Sequence, residues 1–184
     1  MNYPPIIDVI IPAYNEEKSI PKVIAEIPKF VRHIVVANNN STDQTQLVAE
    51  AAGAKVVFEA QKGYGKACLT AMDWLKKQEI QPDIVVFLDG DYSDFPEEMK
   101  DLVQPILDGK ADMVIGSRAL GQRESGSMTL PQVFGNWLAT TMMKYMQGAE
   151  FSDLGPFRAI VWKRLLDLNM VDQNFGWTIE MQIK

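Results

Sequence analysis

Short runs of apolar residues alternate along this chain with longer segments in which apolar residues recur every three or four positions. The runs cover residues 6–11, 34–37, 55–58, 84–88 and 113–115. Their length and their polar boundaries are typical of strands that are buried in a sheet. The segments between them have the i, i+3, i+4, i+7 spacing of a helix with one apolar face, as in Ile20, Val23, Ile24 and Ile27.

Strands that alternate with helices predict an α/β fold, with a mostly parallel central sheet and helices on both faces. The segment Ser41-Thr42-Asp43-Gln44 has the pattern of a capping box and predicts the start of the second helix. In a sheet of this kind, ligands bind beyond the carboxyl ends of the strands. Function is therefore expected in the loops that follow the strands.

The length of 184 residues fits a single domain, 1–184, that is large enough to bury a core. A net charge of −6 without a basic stripe argues against nucleic acid as a partner. The lone Cys68 lies in an apolar helical stripe and is expected in the core. Because no apolar segment approaches the length of a membrane span and no secretory signal is present, we expect a cytoplasmic domain. The sequence stops inside an amphipathic pattern at 177–184, so we expect that a C-terminal part is missing from it.

The fourth apolar run is the most informative segment, because it ends in three carboxylates, Asp89, Asp91 and Asp94. In an extended chain Asp89 and Asp91 point to the same side. Two like charges so close are costly unless a cation lies between them. Oxygen ligands without His or Cys favour a hard ion, so we predict Mg²⁺ or Mn²⁺ here. Such an ion is suited to hold a diphosphate, whereas Asp94 is expected to cap the next helix.

Polar loops follow the other strands as well. The amides of Asn38, Asn39 and Asn40 could bind the edge of a base, although turn and cap chemistry explains Asn40 and Ser41 equally well. The segment 62–67 contains glycines that allow close backbone approach and lysines that could meet phosphate. It lacks both the third glycine and the Gly-Lys-Ser/Thr ending of known phosphate-binding fingerprints, so taken alone it favours a flexible entry to the third helix. Arg118, after the fifth run, directs a guanidinium towards the same rim.

Two other interpretations of the carboxylates are less consistent with the chain. A calcium loop needs Gly and Glu where this sequence has Asp94 and Lys100. A phosphotransferase with an aspartyl nucleophile in 89–93, and Ser117 as its phosphate-binding hydroxyl, leaves the loop 12–16 and the three asparagines unexplained.

Taken together, these loops make the chain resemble the family 2 glycosyltransferases of the GT-A fold, and within them the polyprenyl-phosphate (dolichyl-phosphate) mannose and glucose synthases. The matching segments occur in the family's order over nearly the whole chain: 9–16, 39–43, 63–67, 87–91, 115–118, 153–158 and 176–182. The resemblance implies a nucleotide-diphospho-sugar transferase that is metal-dependent and inverting, with a UDP- or GDP-hexose as donor. We assign donor binding to residues 1–118 and acceptor binding to 119–184.

The resemblance also implies roles for single residues. Asp91 would ligate the metal, with Asp89 at the nucleotide or metal shell, and Asp91, Arg118 and Asp153 would be catalytic. Arg118 and Arg123 would neutralise phosphate oxygens, with Arg158 as a further candidate on the acceptor side. The expected nucleotide-sugar contacts are Pro12, Ala13, Tyr14, Glu16, Asn39, Lys66, Asp89, Gly90 and Asp91. The chain departs from the family where Asn38 and Asn39 replace an acidic pair, and where Ser93 replaces a Gln ligand of some members.

The acceptor is left open by the sequence. A lipid phosphate is already an anion, whereas a saccharide hydroxyl needs a base, for which Asp153 is the first candidate. The Met-rich stripe in 130–147 suits a core helix, or an element that contacts lipid at the inner face of a membrane. A domain that binds a nucleotide without turnover is the non-enzymatic alternative.

Overall fold

The computed structural model describes residues 4–116 and 155–184, and a sheet lies at the centre of this part of the chain. Its strands are β1 (Ile7–Ala13), β2 (Val31–Asn38), β3 (Lys55–Phe58), β4 (Ile84–Phe87), β5 (Met113–Ile115) and β6 (Arg158–Val161). They lie in the order β3-β2-β1-β4-β6-β5. The first four strands are parallel, and β6 runs antiparallel between β4 and β5.

Helices cover both faces of the sheet. They are α1 (Ile20–Glu26), α2 (Thr45–Ala51), α3 (Tyr64–Lys76), α4 (Met99–Leu107, after a short 3₁₀ turn), α5 (Trp162–Asp167) and α6 (Trp177–Ile183). In β1, Val9 and Ile11 pack towards α1 and α4, whereas Ile10 packs towards α3, α5 and α6. Because successive strand residues point to opposite faces, burial of both faces explains why these runs are mainly apolar.

The five predicted strands are confirmed as β1 to β5, with boundaries that differ by a few residues. Cys68 is fully buried, as expected for a core residue. Strand β6 was not predicted, because a four-residue run that begins with Arg158 carries little strand signal. The capping box was wrong: α2 begins at Thr45, and the hydroxyl of Ser41 accepts the N–H of Asn15 instead.

A buried ion pair lies at the amino end of β1. The carboxylate of Asp8, which is fully buried, accepts two hydrogen bonds from the guanidinium of Arg32 and one from the N–H of His33. The pair ties β1 to β2 at the edge of the sheet opposite to the carboxyl ends. Among the described helices, none is long and apolar enough to cross a membrane.

Candidate active site

A cavity of about 430 Å³ opens at the carboxyl ends of β1, β2 and β4. The connection after β3 carries the chain across to β4 on the other side of β1, and this change of direction leaves a crevice between neighbouring loops. The cavity is lined by Pro12, Ala13, Tyr14, Glu16, Asn39, Lys62, Gly63, Tyr64, Ala67, Asp89, Gly90, Asp91, Asn174 and Phe175. Eight of the residues expected to bind the donor are therefore brought together: Pro12, Ala13, Tyr14, Glu16, Asn39, Asp89, Gly90 and Asp91.

The loops after β1 and β2 are joined to each other by hydrogen bonds. Asn15, with a φ of +59°, turns the chain after β1, and its side-chain oxygen accepts the N–H of Thr42 at 2.8 Å. The N–H of Glu16 donates to the hydroxyl of Thr45 at 2.7 Å. These contacts occupy the polar residues of 41–45 and fix the first wall of the cavity, on which the ring of Tyr14 is 43% exposed.

The carboxylates after β4 lie in a tight turn at the floor of the cavity. Asp89 accepts a hydrogen bond from the phenol of Tyr64 at 3.0 Å. Asp91 is exposed, and one of its oxygens accepts the N–H of Ser93 at 2.9 Å. The predicted cap at Asp94 is wrong: Phe95 precedes the 3₁₀ turn, and buried Asp94 accepts the N–H of Asp89 at 3.4 Å.

Tyr64 remains a neutral donor to Asp89 over the physiological range. Its burial, and next the negative charge of Asp89, raise the pKa of Tyr64 well above the ordinary value. The same two causes raise the pKa of the Cys68 thiol. Neither group is therefore an acid or base near neutral pH, and Tyr64 acts by holding Asp89 in place.

The charge that lines the cavity is mainly negative. Glu16, Asp89 and Asp91 contribute carboxylates, and Lys62 is the one lining residue with an ammonium group among those described. Lys62 lies over the ring of Tyr14, 4.5 Å from its centroid, and donates to its phenol oxygen at 3.0 Å. A cavity with this balance repels a free diphosphate unless a cation enters with it.

Asn39 is held by the loop between β3 and α3. Its side-chain nitrogen donates to the carbonyl oxygens of Gln61 at 2.7 Å and Glu59 at 3.4 Å. Its side-chain oxygen accepts the N–H of Gly63 at 2.8 Å. The expected base contact must therefore compete with three contacts inside the protein.

Another segment of the backbone packs closely against the glycines of 62–67. A Cβ atom at Gly63 would lie 2.1 Å from the carbonyl oxygen of Gln173, and one at Gly65 would lie 2.1 Å from that of Asp172. The N–H groups of Gly65 and Lys66 donate to the carbonyls of Asn174 and Gln173. The interpretation of these glycines as a phosphate approach was therefore wrong, because the segment 172–174 occupies that space.

Two expected site residues do not line the cavity. The ammonium nitrogen of Lys66 lies 3.8 Å from a carboxylate oxygen of Glu59. Arg158 is 1% exposed and donates to the carbonyls of Gly155 and Thr178, so it supports the packing of β6 against α6. Arg118, Arg123 and Asp153 lie outside the described residues, as does the Met-rich stripe.

Several lining residues were not predicted as site residues, among them Lys62, Tyr64, Asn174 and Phe175. Lys62 was considered only for phosphate and lies instead against Tyr14, and Tyr64 is the first residue of α3, where an aromatic residue gives no sign of a cavity. Asn174 and Phe175 come from a segment distant in sequence, for which no local pattern signals a cavity wall. Phe175, at 85% exposed, stands at the rim.

The segment 171–175 is itself fixed by Glu180 on α6. The carboxylate of Glu180 accepts the N–H groups of Val171 and Asp172 and pairs with Lys184 at 2.7 Å. Burial opposes ionisation of Glu180, but these hydrogen bonds outweigh it and lower its pKa. An ionised Glu180 thus holds the far wall of the cavity.

The mostly parallel sheet, the helices on both faces and the carboxylates at the β1–β4 crevice define a glycosyltransferase of the GT-A fold, as the sequence predicted. The chain belongs to glycosyl transferase family 2, whose family model matches residues 8–168. This membership argues against the phosphotransferase interpretation of Asp89.

Relatives and solved structures agree with this family. The glycosyltransferase AglJ of Haloferax volcanii is 31% identical over 186 residues, which is 100% of this chain and 59% of AglJ. The UDP-N-acetylglucosamine–dolichyl-phosphate N-acetylglucosaminyltransferase of Methanococcus voltae is 28% identical over 165 residues, 79% of this chain and 64% of the relative.

A solved structure supports the same fold. Glucosyl-3-phosphoglycerate synthase from Mycobacterium tuberculosis, in complex with Mn²⁺, UDP-glucose and phosphoglyceric acid, superimposes with a TM-score of 0.75 at 25% identity, covering 97% of this chain and 64% of that one. The chain thus spans about three fifths of the length of AglJ and of the synthase.

Proposed function

We propose that this chain forms the catalytic domain of an inverting, metal-dependent glycosyltransferase that moves a hexose from a UDP- or GDP-hexose to a polyprenyl phosphate. The observation that carries the proposal is the convergence of Asp89, Asp91, Tyr14 and Asn39 on one cavity at the β1–β4 crevice. Residues 1–118 would bind the donor, and residues 119–184 would contribute to the acceptor site.

The donor fits the lining of the cavity. Tyr14 offers a half-exposed ring against which a base can stack, and Asp89 and Asp91 lie at the floor, where the diphosphate would be held. The Methanococcus voltae relative is named for a UDP-sugar, and the Mycobacterium tuberculosis synthase binds UDP-glucose, which supports a nucleotide-sugar donor. Gly90 is buried between the carboxylates and the side chains of Glu16 and Ile20, so the turn that carries the carboxylates is packed firmly.

The residues present fit a divalent ion. No group of three or more His, Cys, Asp or Glu side chains is arranged around one point in the described ranges, so Asp91 and Asp89 would share the ion with diphosphate oxygens and water, as Mg²⁺ and Mn²⁺ accept. When bound, the ion supplies positive charge to the diphosphate that leaves during transfer. Tyr64 would keep Asp89 oriented towards it.

The acceptor is proposed from the chemistry of phosphates. Sugar transfer passes through a state with positive character at the anomeric carbon, and an anionic phosphate oxygen can attack it without a base. Arg118 and Arg123 are the candidates for binding phosphate oxygens, whereas the buried Arg158 supports the packing of β6; Asp153 is the candidate that would orient the acceptor. The dolichyl-phosphate relative supports this class of acceptor, which would place the reaction on the cytoplasmic face of a membrane.

Calorimetry with UDP- and GDP-hexoses, with and without Mn²⁺ or Mg²⁺, tests the donor site. We expect binding that depends on the ion, and a loss of roughly 100-fold in affinity for Asp91→Ala. Asp73→Asn, which removes a carboxylate exposed on α3, is the charge-matched control and should bind as the wild type does. Absence of binding under every ion condition would overturn the proposal.

Offering polyprenyl phosphate and oligosaccharides side by side tests the acceptor. Product from the lipid phosphate alone supports the proposal. Product from a saccharide hydroxyl would instead favour a family 2 enzyme of polysaccharide synthesis, and would predict a strong requirement for Asp153. Binding of the nucleotide sugar without any product from either acceptor would favour the non-catalytic alternative.

A further inference from the structure

The side chain of Asn39 makes a pair of hydrogen bonds that an amide satisfies and an ionised carboxylate cannot. The carbonyl of Gln61, 2.7 Å from the side-chain nitrogen, can only accept, and the N–H of Gly63, 2.8 Å from the side-chain oxygen, can only donate. These two partners fix which end of the amide faces which neighbour. A carboxylate at this position would set two acceptors against each other at the Gln61 carbonyl.

The loop that Asn39 holds carries Lys62 to the mouth of the cavity. Gln61 and Gly63 flank Lys62 directly, and the ammonium group of Lys62 lies against the ring and phenol of Tyr14. On its other side, the loop is confined by the backbone of Gln173 at Gly63. The amide of Asn39 therefore fixes the loop from within, at a site that is only 8% exposed.

We propose that Asn39 is a positioning residue. Its amide fixes the loop 61–63 so that Lys62 lies against Tyr14 at the mouth of the nucleotide cavity, and its polar edge is engaged by the loop and does not read the base. This inference rests on the proposed function for its nucleotide measurement only, because the anchoring of the loop can be measured on the protein alone.

The test compares Asn39→Asp with Asn40→Asp, the same change at an exposed neighbour whose amide makes one long contact of 3.4 Å to the carbonyl of Ala60. At pH 7.5 we expect the Tm of Asn39→Asp to be roughly 3–10 °C below that of the wild type. The reason is that a carboxylate oxygen would then face the carbonyl oxygen of Gln61, and two buried acceptors would replace a hydrogen bond. The Tm of Asn40→Asp should stay within about 1–2 °C of the wild type.

The pH dependence separates anchoring from a general loss of packing. In the Asn39→Asp variant the folded state disfavours the ionised form of the new carboxyl, so the pKa of that carboxyl is higher in the folded than in the unfolded protein. The loss of stability is therefore present above that pKa and disappears as the pH falls through it, when the protonated carboxyl can donate to the Gln61 carbonyl. Asn39→Ala removes both contacts without adding a charge, and its deficit should not recover at low pH.

Other titratable groups on the surrounding elements must be considered in the same profile. They are Glu59, Lys62 and Lys66 on the β3–α3 side, and Tyr14 and Glu16 at the end of β1. The wild type and Asn40→Asp contain all of these groups. A difference between their profiles of Tm against pH and the profile of Asn39→Asp is therefore caused by the carboxyl introduced at position 39.

The nucleotide measurement uses UDP and GDP with Mn²⁺ between pH 5.5 and 8. At pH 8 we expect Asn39→Asp to bind both nucleotides about tenfold more weakly than the wild type does. Its affinity should return towards the wild-type value as the pH is lowered to 5.5, and the ratio of UDP to GDP affinity should stay that of the wild type. Lys62→Met should weaken the binding of both nucleotides without lowering the Tm.

An altered ratio of UDP to GDP affinity in Asn39→Asp, with an unchanged Tm and no recovery of affinity at low pH, would show that Asn39 reads the base and would overturn the inference. If the wild type bound neither nucleotide, the proposed function would fail, whereas the Tm profiles would still decide the anchoring.

Discussion

The phenol of Tyr64 donates to the carboxylate of Asp89 at 3.0 Å, which joins the first turn of α3 to the turn that follows β4. Both residues line the cavity, so this hydrogen bond connects the start of α3 with the turn at the floor of the cavity. Since the pKa of Tyr64 is raised by burial and by Asp89, the donor keeps its proton near neutral pH. The orientation of Asp89 is thus fixed by packing and does not change with pH near neutrality.

Tyr64→Phe removes this donor and keeps the ring. We expect a loss of about 1–3 kcal/mol in the free energy of unfolding, since Asp89 would lose a hydrogen bond to a charged group, and a weaker affinity for the nucleotide and Mn²⁺. Urea denaturation and calorimetry measure the two effects. Tyr92→Phe is the matched control, because Tyr92 is exposed and hydrogen-bonded to Glu26 outside the cavity lining. Equal behaviour of the two variants would contradict a role for Tyr64 in holding Asp89.

Gly65→Ala tests the close approach of two backbones. A Cβ atom there would lie 2.1 Å from the carbonyl oxygen of Asp172, so the segment 172–174 must move. We expect destabilisation of about 2–4 kcal/mol in urea unfolding. Gly53→Ala is the control, because Gly53 has a φ of +93° but open space around it; its backbone strain alone should cost about 1 kcal/mol. A smaller effect at Gly65 than at Gly53 would refute the contact.

Acid should weaken the wall that Glu180 holds. The pKa of Glu180 is lowered in the folded protein, so its contribution is complete above the unfolded pKa of glutamate and is lost as the pH falls through the folded value. We expect Glu180→Gln to be less stable than the wild type by about 1–3 kcal/mol near pH 7, with the difference narrowing below about pH 4.5. Unfolding curves from pH 3 to 7 measure this. A constant difference over that range would count against the ionised carboxylate as the anchor.

Asp8→Ala should damage the fold and leave the site intact. It removes the buried partner of Arg32 and an acceptor for the N–H of His33, and breaking such a pair costs about 3–5 kcal/mol. Because Asp8 lies at the amino end of β1, far along the strand from Tyr14, nucleotide affinity measured well below the Tm should stay within about twofold of the wild type. A large loss of affinity in the folded variant would reveal a coupling between the two ends of the sheet.

Some features of this protein follow from local sequence alone. The apolar runs predict β1 to β5 because strands in a sheet that is covered on both faces contain few polar residues. Asp89 and Asp91 come just after β4, so their place at the floor of the cavity follows from the strand. The polar loop 12–16 was likewise expected at this rim. By contrast, β6 escaped prediction, since its antiparallel place between β4 and β5 depends on partners more than forty residues away in sequence.

The sequence by itself determined the α/β class, the parallel arrangement of β1 to β4 and the carboxylate pair, because hydrophobic periodicity and strand ends are local properties of the chain. Only the tertiary structure decided which residues of the loops contact each other. In the folded protein the backbone of 172–174 packs against the glycines at 63 and 65, and the amide of Asn39 hydrogen-bonds the loop 61–63. Tyr64 hydrogen-bonds Asp89, and Glu180 hydrogen-bonds the segment that forms the far wall of the cavity. The physical reason is that Gly63, Gly65, Asn39 and Tyr64 contact residues distant in sequence, and Glu180 contacts the loop that precedes its own helix. Such contacts leave no period or spacing in the chain from which they can be predicted.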